Sequence, residues 1–420
     1  MDAGGLIAGP RAREAVASVS RACHGRLVAL LASATGDIAA AEDAVADAYE
    51  EALIRWPRTG VPTNAEGWLF VVARNRLRDT YRSAAHRRNV PLESLSDDAL
   101  LDEPRDPTQT VSIPDKRLAL LMVCAHPAID PAARTPLMLQ AVLGCDAAQI
   151  ARAFAVPTAT MAQRLVRAKR RIRDARIPFE VPARAQLTDR LPAVLEAIYG
   201  AYAIDWQGVA GATARDSLSA ESLYLAETVA QLTDEPESLG LAALLCLSMA
   251  RAGARSDDDG RPLAPENQNP SRWDAALISR GERYLLRAHA AGKPGRFQLE
   301  AAIQSAHCAR SVTGSTDYAA ILTLTEALVR IAPTLGSRVS LAATLAETAG
   351  PAAALRYLDG QGDAALHRFQ PAWATRAHLL ARVGRHREAA EAYEKAISLT
   401  TDVRLREDLR HRSDSLPDLR

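Results

Sequence analysis

Apolar positions in this chain recur at helical spacing almost throughout, and no run alternates in the manner of a strand bounded by turns. The pattern is sharpest between residues 144 and 176. Asp146 precedes Ile150, Ala151 and Phe154, which would share one face; after Ala155-Val156-Pro157, Thr158 precedes Met161, Leu165, Ala168 and Ile172 at spacings of four, three and four. This predicts a short helix, a tight turn and a second helix with one buried stripe. The opposite face of that second helix carries Ala162, Gln163, Val166, Arg167 and Arg170. Such a pair is the geometry that enters a major groove, although a helical hairpin with a basic outer face would read the same way.

Residues 11–88 read as helices broken at RWPRTGVPTN (55–64). Asp37 starts a helix whose apolar face is Val45, Ala48, Tyr49, Ala52 and Trp56, with Glu42, Asp43, Asp47 and Glu50 elsewhere on it. After the break, Trp68, Leu69, Val72, Leu77 and Tyr81 form a second apolar face, with Asn75 and the arginines expected outside. Residues 91–116 mix Pro, Ser and Asp without periodicity and read as a flexible acidic linker. From about 184 to 412 the chain is Ala- and Leu-rich and helical, interrupted by a loop at 252–272. The expected fold class is all-α: two small helical domains, at 11–90 and 117–180, and a helical-repeat domain at 184–412.

Composition agrees. Aromatics are only 5% of the 420 residues, the hydrophobic fraction is 48%, and net charge is +1, so bulk charge names no partner. The charge is clustered instead. Arg74, Arg76, Arg78, Arg82, Arg87 and Arg88 are opposed only by Asp79, and Arg164, Arg167, Lys169, Arg170, Arg171, Arg173 and Arg176 only by Asp174. Two basic helices on a neutral chain suggest two local phosphate contacts; solvated helix faces are the plainer alternative.

Several classes drop out. Leu239–Ala250 is the longest apolar stretch, short of the roughly 18 residues of a membrane span, and MDAGG is no secretion signal, so a cytoplasmic protein without membrane contact is expected. Five scattered cysteines suit reduced thiols. Lys293 in AAGKPG is followed by Pro294, which rules out a P-loop. Cys124-x-His126 lacks further zinc ligands, and Asp257, Asp258, Asp259 and Glu266 lack calcium-loop spacing. No nucleophile–base pair is visible, so neither catalysis, a metal nor a cofactor is expected. Tyr202 and Trp206 suggest a domain interface, with the lining of a small-molecule pocket as the alternative, and Trp273 in ENQNPSRWD an anchor for its loop.

These residues carry a family resemblance. AEDAVADAYEEAL resembles the core-binding helix of region 2 in sigma-70-type RNA polymerase sigma factors of the extracytoplasmic-function group. GWLFVVARNRLRDTYR resembles their WLxxIARNxxxDxxR element, and QIARAFAVPTATMAQRLVRAKRRIR their region 4 helix-turn-helix, all in the family's order. CAHPAID, RWPRTGVPTNAEGWL and NPSRWDAALI resemble the subgroup with a C-terminal tetratricopeptide-like extension. PAWATRAHLLARVGRHREAAEAYEKAISLTT is similar to one such unit of ~34 residues, with Trp373, Ala377, Leu380, Gly384, Ala389, Tyr393 and Ala396 at its packing positions and Thr401 in place of the usual Pro.

The resemblance implies a promoter-specificity factor. Region 2 would bind the polymerase β′ coiled coil through Glu42, Asp43, Asp47 and Glu50, and the opened −10 element through Asn64, Arg74, Asn75, Arg78 and Arg82, with the loop 62–67 near a flipped base. Region 4 would meet the β flap and the −35 duplex, with Gln163, Val166 and Arg167 in the groove and Thr158, Thr160, Arg164 and Arg170 on or near phosphates. The extension would contact and regulate the sigma core. Ala46 and Ala162 depart from the family's usual polar residues. A one-component regulator, with the same helix-turn-helix and a ligand-sensing repeat domain, is the alternative; it has no need of the 37–88 constellation.

Overall fold

The computed structural model describes residues 4–88, 115–154, 156–206, 212–257, 263, 265–400 and 402–417, leaving out the side chains at 4–11, 84–88, 184–185, 205–206 and 212–217. The described residues are helical, with no strand among them. They divide into two compact units, Met1–Thr228 and Val229–Arg420. The linker expected at 91–116 lies outside the described residues except for Asp115 and Lys116; so do Asp258, Asp259 and Thr401, and the Trp206 side chain.

The first unit opens with α1 (Gly4–Thr35), α2 (Ile38–Thr59) and α3 (Ala65–Arg88). Asp37 caps α2, its carboxylate accepting from the Ala40 N–H at 3.1 Å. The expected apolar face is buried at Val45, Ala48, Ala52 and Trp56, while Tyr49 is half-buried; α2 packs on α1, where Leu27, Val28 and Leu31 are buried, and on α3, where Leu69, Ala73 and Leu77 are. Trp56 meets Trp68 edge-on, with ring centroids 5.6 Å apart. The break expected at 55–64 is narrower: α2 runs on to Thr59 and stops at Gly60, whose φ of +81° admits no ordinary side chain.

Four helices follow: α4 (Arg117–Cys124), α5 (Pro131–Ala141), α6 (Ala147–Ala153) and α7 (Thr158–Asp174). Asp146 and Gln149 form a reciprocal capping box on α6. The stripe Met161, Leu165, Ala168 and Ile172 is fully enclosed. Two details differ from the sequence reading. Phe154 does not join Ile150 and Ala151 in the core but is 40% exposed, because α6 ends at Ala153 and the chain turns there. Pro157, not Thr158, is the N-cap of α7, and no side chain caps that end.

Helix α8 (Arg184–Trp206) and most of α9 (Ala212–Thr233) belong to this first unit. Leu191, Val194, Leu195 and Ile198 of α8 are buried, and Gly200 lies beside Leu139 of α5. The buried Arg190 donates to the Met122 carbonyl at 3.0 Å. Asp115 and Glu221 both pair with Arg117, whose guanidinium lies 4.8 Å over the Tyr224 ring, while the Tyr224 hydroxyl donates to Asp115 at 3.0 Å.

The second unit is a succession of helices packed mainly on their neighbours in sequence: α10 (Pro236–Ala250), α11 (Ala275–Ala290), α12 (Arg296–Cys308), the short α13 (Arg310–Thr313), α14 (Tyr318–Ile331), α15 (Leu335–Thr348), α16 (Pro351–Asp359), α17 (Gln370–Arg382), α18 (His386–Ser398) and α19 (Val403–Asp414). The 236–254 stretch is long and apolar enough to cross a membrane by length and composition, more than the sequence reading allowed, but 78% of it is buried within the protein. Glu237 accepts from the Phe297 and Gln298 N–H groups at the start of α12, where the helix dipole favours an anion. In the α17–α18 hairpin Ala377, Leu380, Ala389, Tyr393 and Ala396 are buried, and Gly384 turns the chain with a φ of +77°.

The anchor expected at Trp273 has a definite form. The Arg310 guanidinium stands 5.2 Å over its ring and donates to the backbone carbonyls of Glu266 and Gln268. Asn269 and Asp274 cap the following turn and α11. ENQNPSRWD is thus a string of caps pinned by one arginine.

Two predictions follow from these contacts. The buried apolar side chains of α8, Leu191, Val194, Leu195 and Ile198 among them, at about 1.5–3 kcal/mol each, hold it to the first unit. A chain ending at residue 183 will melt well below one ending at 228, or aggregate, in paired thermal scans. Burial, reinforced by Lys169, lowers the His24 pKa from 6.5 to about 4. The folded state therefore binds fewer protons than the unfolded one over that range, so stability falls as pH drops from 6.5 towards 4, by at most about 3 kcal/mol for this group. Denaturant titrations of wild type and His24→Gln will show a shallower acid loss in the variant.

Candidate nucleic-acid interface

Helix α2 presents different residues on different sides. Asp43, Asp47 and Glu50, spaced by four and three, form an exposed row that Ile54 extends. Glu42 does not join them. One residue before Asp43 and so turned about 100° around the axis, it faces α7 and pairs with Lys169. Burial pushes the Glu42 carboxyl above the usual range, against the opposing pull of Lys169.

Helix α3 carries Asn75, Arg76, Asp79 and Arg82 on its exposed side, with Arg78 half-buried. Arg74 breaks the expectation that its arginines lie outside. It is 7% exposed, with its guanidinium 5.7 Å from the centroid of the Phe70 ring one turn earlier. The reason is periodicity: Arg74 adjoins the buried Ala73 and shares the side of Phe70 rather than of Asn75. Asn64 acts locally as a cap, its side-chain oxygen accepting from the Gly67 N–H at 2.9 Å and its carbonyl from the Trp68 N–H at 3.1 Å. A side chain at Gly67 would strike the Asn64 side chain and displace it from its capping position.

Between α2 and α3 lies an open groove of about 400 Å³, lined by Glu51, Arg55, Trp68, Val71, Val72, Asn75, Arg76 and Asp79. Glu51 pairs with both Arg55 and Arg76 at its side. An aromatic wall beside an exposed amide and a carboxylate suits a planar, hydrogen-bonding group. Of these residues the sequence singled out only Asn75 as a −10 contact. Trp68 read as core, and the Glu51–Arg76 pairing across 25 positions has no local signature.

On α7 the structure separates two sets of basic residues. Gln163, Val166, Arg167 and Arg170 form one exposed side, with Val166 57% exposed; Thr158 is exposed, and Thr160 and Arg164 are half-buried. Arg167 lies back along the helix, its Nε 3.3 Å from the Gln163 carbonyl. The second set is engaged within the unit: Lys169 with Glu42, Arg173 with Asp37 at 3.4 Å, and Arg171 with the Ala128 carbonyl at 3.5 Å. Uniform basicity in the sequence hid this division.

Among the described residues no group of three or more His, Cys, Asp or Glu could hold a metal ion. His126 accepts from the Ala128 N–H within its own turn, and all five cysteines are buried, none of them in a disulfide.

Residues 20–87 match the family model described as sigma-70 region 2, and residues 190–289 match a family of unknown function (DUF6596). A probable extracytoplasmic-function RNA polymerase sigma factor, SigI, of Mycobacterium tuberculosis is 33% identical over 179 residues, which cover 42% of this chain and 60% of that protein. A probable RNA polymerase sigma factor, RfaY, of Xanthomonas campestris is 28% identical over 167 residues, covering 39% of this chain and 40% of that protein. No solved structure matches the chain. An uncharacterized protein of Rhizobium meliloti, R00370, is 34% identical over 369 residues, 86% of each chain. With that span and identity the chain belongs to the same family as R00370, and it carries a sigma-70 region 2 at residues 20–87.

Proposed function

We propose that the chain is an alternative sigma factor of the extracytoplasmic-function group. It directs RNA polymerase to specific promoters, performs no catalysis of its own, and is regulated by its C-terminal helical domain. One observation carries the reading: a sigma-70 region 2, with the outward acidic row Asp43, Asp47 and Glu50, shares a unit with a helix-turn-helix whose outward residues are Gln163, Val166, Arg167 and Arg170.

In this reading the acidic row meets the basic β′ coiled coil of the polymerase core, where opposed charge speeds docking and fixes register. Asn75, Arg78 and Arg82, beside the Trp68 groove, hold the unpaired −10 strand. Helix α7 enters the −35 major groove, with Gln163, Val166 and Arg167 at base edges and Thr158, Thr160, Arg164 and Arg170 towards phosphates, while its domain meets the β flap. Arg74 and Glu42 have structural work in the folded chain, and Asn64 caps α3. The grip of Arg190, Glu221 and Tyr224 on Met122, Arg117 and Asp115 supports a regulatory role for the residues after 184, which we read as a tetratricopeptide-like extension to 412.

The test is run-off transcription with purified core polymerase on the DNA upstream of the protein's own reading frame. Both the full chain and a piece ending at residue 228 are used, since a cut at 183 would remove α8 from its unit. A transcript that requires the protein is expected. A footprint on duplex DNA without polymerase, and no transcript, would favour the one-component regulator. Arg167→Ala is expected to weaken −35 duplex binding roughly 5- to 100-fold with retention on core polymerase unchanged. Asp47→Arg is expected to weaken polymerase retention about tenfold or more and leave duplex binding intact. Loss of the same step in both variants would refute the division of labour.

A further inference from the structure

Helix α7 carries two kinds of side chain on the side it turns outward. At about 100° per residue, Thr160, Arg164 and Arg167 fall to one flank of Gln163, and Ala159, Ala162 and Val166 to the other, with Arg170 two turns beyond Gln163. One flank is polar and cationic; the other is apolar. Met161, Leu165 and Ile172 are enclosed, whereas Val166 is the one large apolar side chain of α7 left exposed among the described residues, at 57%. Ala159 is exposed and Ala162 half-buried, and both are too short to shield it.

A valine in this position has a specific use where the helix side meets duplex DNA. Arginines answer the phosphates, and the edges of the bases in the major groove are nitrogen and oxygen donors and acceptors. The exception is the C5-methyl group of thymine, the apolar feature of that groove. Against adenine, guanine or cytosine the Val166 methyls find no apolar partner. Against thymine, two apolar surfaces remove each other from water. Val166 lies about 4.5 Å further along the helix axis than Gln163, close to the step of about 3.4 Å between base pairs. An exposed amide, which matches adenine, and an exposed branched alkyl group therefore stand over neighbouring pairs.

We propose that Val166 is a specificity-determining residue that reads the C5-methyl group of a thymine in the −35 element. This rests on the proposed placing of α7 in the −35 groove and goes beyond it in naming the chemical group recognised. Ala162, where the resembling family usually has a polar residue, extends the same flank. Discrimination on that flank is by methyl contact, and on the Gln163 and Arg167 flank by hydrogen bonding and charge.

The test measures binding of the holoenzyme, core polymerase with the full chain, to the promoter at which run-off transcription starts. Each thymine of its −35 element, on either strand, is replaced in turn by deoxyuridine, which pairs identically and lacks only the methyl group. At least one replacement is expected to weaken promoter binding about three- to fivefold, the worth of one buried methyl group. Val166 is exposed, so Val166→Ala leaves the fold intact. That variant is expected to weaken binding to the thymine promoter by a similar factor and to abolish the sensitivity to deoxyuridine, the two changes together costing no more than either alone. Val166→Ile is expected to keep the sensitivity. A −35 element with no sensitive thymine, or sensitivity that survives Val166→Ala at every such thymine, overturns the proposal. So does a Val166→Ala loss of equal size on thymine and deoxyuridine promoters, which would set the side chain against the polymerase instead. Each of these leaves the sigma reading standing. A holoenzyme that forms no complex even with the unmodified promoter sinks the sigma reading, and the methyl readout with it.

Discussion

The first unit depends on the burial of one helix on several sides. Helix α2 gives Val45, Ala48, Ala52 and Trp56 to α1 and α3, and Asp37 and Glu42 to α7. The row Asp43, Asp47 and Glu50, with Leu53, Ile54 and Arg55 beyond it, is left to solvent. A helix repeats every 3.6 residues, so residues one apart serve different neighbours. Asp43 and Glu42 differ by one position and therefore belong to different interfaces. Its apolar contacts include the edge-on Trp56–Trp68 pair, and its charged side carries the pairs to α7.

The charged side is energetically balanced rather than strongly stabilising. Taking Glu42 and Lys169 out of water costs several kcal/mol, which their attraction must offset. The pair is incompletely satisfied: one carboxylate oxygen has no partner, and burial pulls the Glu42 carboxyl towards its neutral form. At the Gly25–Val142 approach backbone atoms meet without an intervening side chain.

In the second unit polar groups are placed for anchoring. Arg310 covers Trp273 and takes the carbonyls of Glu266 and Gln268, which would otherwise have no helical partner. Glu237 does the same for the first N–H groups of α12. These contacts fix the loop between α10 and α11 and the packing of α12 on α10. The hairpins that follow bury small residues such as Ala377, Ala389 and Ala396, which let paired helices approach closely.

The sequence by itself determined whatever depends on local periodicity and capping: the all-α class, the buried stripe of α7, the helix start at Asp146, the apolar face of α2, and an outward acidic row and basic helix side. Each is written within one or two helical turns, where spacing alone decides which side chains share a face. Only the tertiary structure decided which of the like-charged residues are committed elsewhere. Glu42 and Asp43 read alike, as do Lys169 and Arg170, until α7 is laid on α2. Arg74 reads as one more surface arginine until Phe70 and the core close around it. The extent of the first unit through α8 was equally hidden, since the Arg190–Met122 bond spans 68 residues. Contacts between distant segments leave no periodic trace in either one; they exist only once the chain is folded.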